Sequence, residues 1–103
     1  MPELSCTARR TGDYESRTEE YELSYAVDGA ASRTIAVRYQ AARAYEINAA
    51  LDAAVEAVRE SIAEAAPGLE DRPSDGTLSQ FTWRAIQSVK YEEGAEKTSS
   101  MDL

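Results

Sequence analysis

The sequence contains no histidine, and its 103 residues include a single cysteine, Cys6. Histidine is the commonest general base and the commonest transition-metal ligand in proteins. Its absence excludes catalytic triads and metal sites that depend on an imidazole. One cysteine can neither close a disulfide within the chain nor form a zinc site built on several thiolates. We therefore expect no catalytic residue, no metal and no cofactor, and we interpret Cys6 as a small core residue.

Long apolar runs and clustered glycines are missing as well. No stretch of about 18 apolar residues is present, so we expect no membrane-spanning segment. Residues 1–4 lack the basic region and apolar stretch that begin a secretory signal. The five glycines stand singly, which excludes a glycine-rich loop that would hold phosphates. We predict a cytoplasmic protein with no membrane contact.

Negative charge is what the chain has in excess, with 19 acidic residues against 11 basic ones and a net charge of −8. Residues 19–66 carry nine acidic residues and four arginines, and residues 92–103 carry four acidic residues and one lysine. Such a field repels nucleic acid and attracts basic partners. We therefore expect a protein partner with a basic surface and no direct nucleic-acid binding. The alternative is acidity that serves solubility alone, as in salt-adapted proteomes.

Alternation of apolar and polar side chains predicts a β-hairpin in the first half of the chain. Residues 21–27 and 33–39 place apolar side chains at odd positions and acidic, small or basic ones at most even positions. This period of two is typical of half-buried strands. The apolar positions are Tyr21, Leu23, Tyr25, Val27, Ile35, Val37 and Tyr39. We predict strands over 16–27 and 33–40, preceded by a strand over 3–10.

The register of this hairpin follows from a parity argument. Directly opposed residues of an antiparallel pair share a face, so matching the two apolar sets requires paired residue numbers with an even sum. A two-residue turn at 28–29 gives an odd sum. We therefore predict a loop of odd length, such as residues 29–31 or a five-residue loop, unless a bulge intervenes. The three-residue loop places Glu22 opposite Arg38.

The segment from 42 to 66 is predicted to form one long helix. Its apolar residues follow a helical spacing of three and four and comprise Ile47, Leu51, Val55, Val58 and Ile62. A second row, at intervals of four, is acidic and comprises Asp52, Glu56, Glu60 and Glu64. Tyr45 points away from the apolar row. Residues 67–68, Pro-Gly, end the helix.

Residues 77–91 fit two patterns. Phe81, Trp83, Ala85, Val89 and Tyr91 alternate as in a strand, whereas Leu78, Phe81, Ala85 and Val89 also fit one side of a helix. The threonine, tryptophan, isoleucine and tyrosine content favours a strand, with a helix as the alternative. The polar residues from Glu92 onward predict a mobile tail.

Together these elements predict an α+β fold. We expect a two-layer sandwich in which one long helix packs on one face of an antiparallel sheet of three to four strands. Residues 1–91 form a single domain in this interpretation, and residues 92–103 form an acidic mobile tail.

Regularly placed carboxylates can replace phosphates at a cationic groove and block nucleic acid there. We therefore predict a non-enzymatic interaction module whose partner-binding residues are Glu20, Glu22, Tyr45, Asp52, Glu56, Glu60 and Glu64. In size, acidity and lack of catalytic groups the chain resembles small acidic inhibitors such as immunity proteins of nuclease toxins and anti-CRISPR proteins, without a shared motif. The alternatives are a structural subunit that forms a homodimer or larger homo-oligomer, and a carboxylate-dependent enzyme.

Overall fold

The computed structural model describes residues 2–12, 17–92 and 94–103. In these residues three strands are followed by two helices and a last strand. The elements are β1 (Glu3–Arg10), β2 (Thr18–Val27), β3 (Ala30–Gln40), α1 (Ala44–Ala65), α2 (Asp75–Val89) and β4 (Glu96–Asp102). The fold is α+β, as the alternation and the helical spacing predict.

The four strands form one antiparallel sheet in the order β3-β2-β1-β4. Alternation decides which face is covered: Leu4, Cys6 and Ala8 of β1 share a face with Leu23 and the other odd-numbered residues of β2, and these side chains are buried. The even-numbered residues of β2 lie on the opposite face, which we call the open face. The predicted strands are confirmed in position, although β3 begins three residues earlier than expected and residue 16 lies outside the described ranges.

Helix α1 packs across β3 and β2, in agreement with the helix predicted over 42–66. Val55, Val58 and Ile62 of the apolar row are buried, whereas Ile47 and Leu51 remain half-exposed. The helix ends where the Ala66 N–H donates to the carbonyl of Ile62, just before the proline that cannot continue it. Among the described residues, no helix combines the length and apolar character that crossing a membrane requires.

The strand favoured for residues 77–91 is wrong, because this segment belongs to helix α2. The Ser74 side chain accepts a hydrogen bond from the Thr77 N–H at 3.2 Å and so caps the first turn. The buried residues then follow helical spacing and comprise Leu78, Thr82, Ala85, Ile86 and Val89. Tertiary packing of this row across β1 and β4 outweighs the β-propensity of individual residues. The sheet therefore carries two helices on its covered face rather than one.

The predicted mobile tail contains strand β4, which pairs with β1 along the sheet edge. The Thr7 and Thr98 hydroxyls on the open face lie 2.8 Å apart. Beyond the strand, the Leu103 N–H donates to the Pro2 carbonyl at 2.8 Å, and the Leu103 side chain is buried. A strand this polar is stabilised by pairing with a distant segment, which composition does not reveal.

The hairpin turn also differs from the prediction. Val27 pairs with Ala30, so the turn has two residues, Asp28 and Gly29, with φ of 50° and 77°. Positive φ at both positions is what a type I′ hairpin turn requires, and it matches the twist of the strands. The parity conflict is resolved by a bulge in which Ala31, with φ of 52°, adds one residue to β3.

Beyond the bulge the pairing sums are even, as parity requires. Leu23 lies opposite Ile35 on the covered face. The predicted pairing of Glu22 with Arg38 is wrong, because the register of β3 against β2 differs from the predicted one by two residues. Glu22 lies opposite Ala36, and Arg38 lies opposite Glu20. The parity argument therefore assigns the faces correctly but not the loop.

We expect Ala31→Gly to raise the free energy of unfolding by about 0.5 kcal/mol. Glycine removes the roughly 1 kcal/mol that a Cβ costs in the left-handed region, part of which its greater freedom in the unfolded chain cancels. Ala30→Gly is the matched control, because Ala30 has an ordinary negative φ, and it should lower the free energy by about 0.5 kcal/mol. Urea denaturation measures both. An equal loss in the two variants contradicts the assigned bulge.

Candidate functional site

The predicted partner-binding residues lie on two opposite sides of the molecule. Glu20 and Glu22 occupy even positions of β2 on the open face. Tyr45 and the acidic row of α1 lie on the outer surface of the helix layer, where all five side chains are exposed. The sheet separates the two groups, so they cannot contact one flat partner surface together.

The acidic residues of the open face are paired with arginines on neighbouring strands. Glu22 lies 3.2 Å from Arg9, and Glu20 lies 3.4 Å from Arg38. These pairs are partly exposed and contribute little to stability, but they cancel local charge. The open face is therefore nearly neutral around Glu20 and Glu22.

The acidic row of α1 divides into two halves. Its four members are each one turn apart and span about 18 Å along the helix axis. Arg33, at the covered side of edge strand β3, binds Glu64 at 2.6 Å and Glu60 at 3.6 Å. Within residues 2–12, 17–92 and 94–103, Asp52 and Glu56 make no hydrogen bond or ion pair. The N-terminal half of the row is thus the part with uncompensated charge.

An apolar groove lies beside this half of the row. Ile47 and Leu51 of α1 and Trp83 of α2 form a cleft of about 300 Å³, with Ser79, Gln80 and Arg84 at its rim. Asp52 and Glu56 are exposed on the same helix, although neither lines the groove itself. We call the combination of Tyr45, Ile47, Leu51, Asp52, Glu56 and Trp83 the α1 surface. Tyr45 is 68% exposed.

The sequence prediction had assigned Ile47 and Leu51 to the core and Trp83 to a strand, so it missed this groove. Both aliphatic residues lie on the apolar row, but near the N-terminal end of α1 the two helices leave them half-exposed. The groove is formed by side chains of two helices. It can therefore be predicted only when residues 75–89 are known to be helical.

A buried ion pair is the second feature that sequence reasoning missed. Arg10 and Glu19 are both about 5% exposed, with Arg10 Nη1 3.8 Å from Glu19 Oε1. Arg10 Nη1 also donates to the Lys90 carbonyl at 2.5 Å and to the Tyr21 hydroxyl at 3.3 Å. The Tyr21 hydroxyl in turn donates to Glu19 at 2.6 Å. This network connects β1, β2 and the C-terminal end of α2.

A signal for this network was present in the sequence. Arg10 continues the even-numbered positions that are buried in β1, and Glu19 continues the odd-numbered positions that are buried in β2. A charged residue at a core position must be paired to be tolerated.

Burial keeps the hydroxyl and thiol groups of the core protonated. Desolvation raises the pKa of Tyr39 to about 12, and the nearby charge of Glu19 adds to the shift. Desolvation also raises the pKa of Cys6 to about 12, opposed by a hydrogen bond with Tyr25. For Tyr21 and Tyr25 burial again raises the pKa. The fully buried Cys6 thus agrees with its interpretation as a small core residue.

No group of three or more Cys, Asp or Glu side chains that could hold a metal ion occurs within the part of the chain that the structure describes. No protein-family model matches the chain, and comparison with curated proteins and with solved structures gives no match either. The chemistry of the chain's own surfaces therefore carries the functional argument.

We expect the free energy of unfolding to fall as the pH rises from about 9 to about 12. Cys6 and Tyr39 ionise in the unfolded chain near their ordinary pKa values of 9.0 and 10.0 but stay protonated in the fold. The unfolded state therefore loses protons first, and each group lowers stability by at most about 1.4 kcal/mol per pH unit. Urea unfolding at several pH values measures the decline. The Cys6→Ala variant should delay its onset toward pH 10, and a constant free energy across this range contradicts the assignment.

Proposed function

We propose that this protein is a cytoplasmic, non-enzymatic interaction module that binds a basic protein partner through the α1 surface. The observation that carries the proposal is that helix α1 contributes two aliphatic residues to an apolar groove and also exposes two carboxylates that pair with no other described residue. Ile47, Leu51 and Trp83 supply the apolar contact, and Asp52 and Glu56 supply the charge. Of the residues predicted from sequence, Tyr45, Asp52 and Glu56 belong to this surface.

The two parts of the α1 surface suit different tasks in recognition. A half-exposed tryptophan in an apolar cleft is the kind of site at which interface energy concentrates. Carboxylates at its margin steer a basic partner and fix its orientation rather than supplying most of the affinity. The matching partner element is an amphipathic segment that places apolar side chains in the groove and lysine or arginine beside Asp52 and Glu56.

The same arrangement supports an inhibitory role. Nucleic acid and this protein's carboxylates compete for the same basic side chains of such a partner. When the α1 surface is bound there, nucleic acid is excluded. The acidic row, with members about 6 Å apart along the axis, presents charge over a length of about 18 Å. We therefore propose that the partner is a nucleic-acid-binding protein whose basic surface is blocked, in the manner of immunity or anti-CRISPR proteins.

We expect the double variant Asp52→Asn/Glu56→Gln to retain at least tenfold less partner than the unchanged protein when each is used to capture proteins from its native host. Loss of the two charges removes the steering and orienting contacts of the α1 surface. The matched control Glu20→Gln/Glu22→Gln also removes two negative charges, but from the open face, and should retain the partner. Quantitative mass spectrometry of the captured material measures both.

Three outcomes contradict the proposal. Equal loss in the two double variants means that net charge alone attracts the partner, and equal retention means that the α1 surface is not used. Retention that is unchanged from low to high ionic strength also contradicts it, since exposed charge contacts are screened over about 8–10 Å at physiological ionic strength. Circular dichroism of each variant establishes that it is folded.

A second candidate function is a subunit of a homo-oligomer. The observation that favours it is the 11-residue edge strand β3, whose outer side pairs with no other described strand. A sheet edge of this length offers unpaired backbone groups to a second copy. We expect light scattering to show a stable closed oligomer at micromolar concentration if this candidate is correct. A monomer over the same concentrations contradicts it.

A further inference from the structure

A second pocket lies where the ends of four elements meet. It has a volume of about 470 Å³, within the range of about 300–1,000 Å³ that is usual for small-molecule sites. The end of β1, the start of β2, the segment after β3 and the end of α2 contribute its walls. Its polar and aromatic lining residues are Arg10, Arg17, Glu19, Gln40, Lys90 and Tyr91.

The charge of this pocket is opposite to that of the whole chain. Among the described residues, three of the chain's 11 basic residues and one carboxylate line it, in a protein with a net charge of −8. The carboxylate, Glu19, already accepts a hydrogen bond from Tyr21 and lies beside Arg10. The pocket is therefore a positive concavity in an acidic molecule, and concave walls concentrate such a field.

One of the three cations is fixed before any ligand arrives. The Arg10 guanidinium is about 5% exposed, lies 5.6 Å from the centre of the Tyr21 ring, and donates to the Lys90 carbonyl. Its position is thus determined by the fold. A rigid guanidinium at the base of a pocket loses little side-chain entropy when an anion approaches.

The other two cations lie at the accessible side. Arg17 is exposed and makes no ion pair with any residue in the described ranges. The Lys90 ammonium lies 5.4 Å from the centre of the Tyr91 ring, and Tyr91 is 68% exposed. A flat apolar group can therefore lie against Tyr91 while an acidic group reaches the two cations.

We propose that this pocket binds a small organic anion that carries a carboxylate or phosphate on a flat apolar body. Arg17 and Lys90 contact the acidic group, Arg10, whose charge is offset by Glu19, forms a fixed part of the pocket wall, and Gln40 offers an amide for a further hydrogen bond. Tyr91 contacts the flat part of the ligand. This site is separate from the α1 surface and does not depend on the proposed partner.

Titration of the nitrogen-15-labelled protein with phenyl phosphate and with benzoate tests the proposal by nuclear magnetic resonance. We expect saturable shifts of the amides of Gln40, Ala41 and Tyr91 with at least one of the two probes, and the tighter probe identifies the preferred acidic group. Phenol, which lacks the charge, and inorganic phosphate, which lacks the flat body, should each bind at least tenfold more weakly.

Variants separate local contacts from overall charge. Arg17→Gln/Lys90→Gln should weaken binding of the tighter probe at least tenfold, whereas Arg72→Gln/Arg84→Gln, which removes two positive charges elsewhere, should change it less than twofold. Equal weakening in both double variants overturns the proposal, as does the absence of a saturable shift with either probe. Partner capture through the α1 surface should be unaffected by Arg17→Gln/Lys90→Gln, so the two proposals fail independently.

Discussion

Burial of one face of the four-stranded sheet is the interaction on which the rest of this structure depends. Strands β1 and β2, at the centre of the sheet, place Leu4, Cys6, Leu23 and Tyr25 fully out of water beneath the two helices. Because the period of a strand is two, this burial also decides which residues remain outside. Any contact with another molecule is consequently confined to the outer surface of the helices, the open face, the sheet edges and the ends of the elements.

The buried network around Arg10 connects this core to one end of the molecule. An ion pair out of water stabilises a fold only when geometry and hydrogen bonds offset the loss of hydration. Here the Tyr21 hydroxyl and the Lys90 carbonyl supply those hydrogen bonds, and they fix the end of α2 against β1 and β2. The same contacts shape the positive pocket. The α1 surface is formed instead by α1 together with Trp83 of α2. The two proposed sites therefore have different structural origins.

Sequence reasoning recovered what local periodicity determines. The strands and helix α1 follow from spacings within each segment, and so does the assignment of Glu20 and Asp52 to water-facing positions. Helix α2 was missed because β-propensity and helical spacing conflicted, and β4 because its polar residues are ordered by pairing with a strand 87 to 99 positions away. The groove at Trp83 combines two helices, which no single segment reveals. The burial of Arg10, in contrast, could have been predicted, because Arg10 occupies one of the even-numbered positions of β1 that face the core.

In the proposed complex, a basic partner occupies the groove between α1 and α2. Trp83 is the single tryptophan of the chain and lines that groove, so its fluorescence responds to a change of environment there. The most direct test adds the captured partner to the purified protein and follows Trp83 emission. The account predicts a saturable shift to shorter wavelength as water is excluded from the indole. A partner that binds while the emission stays unchanged contradicts it.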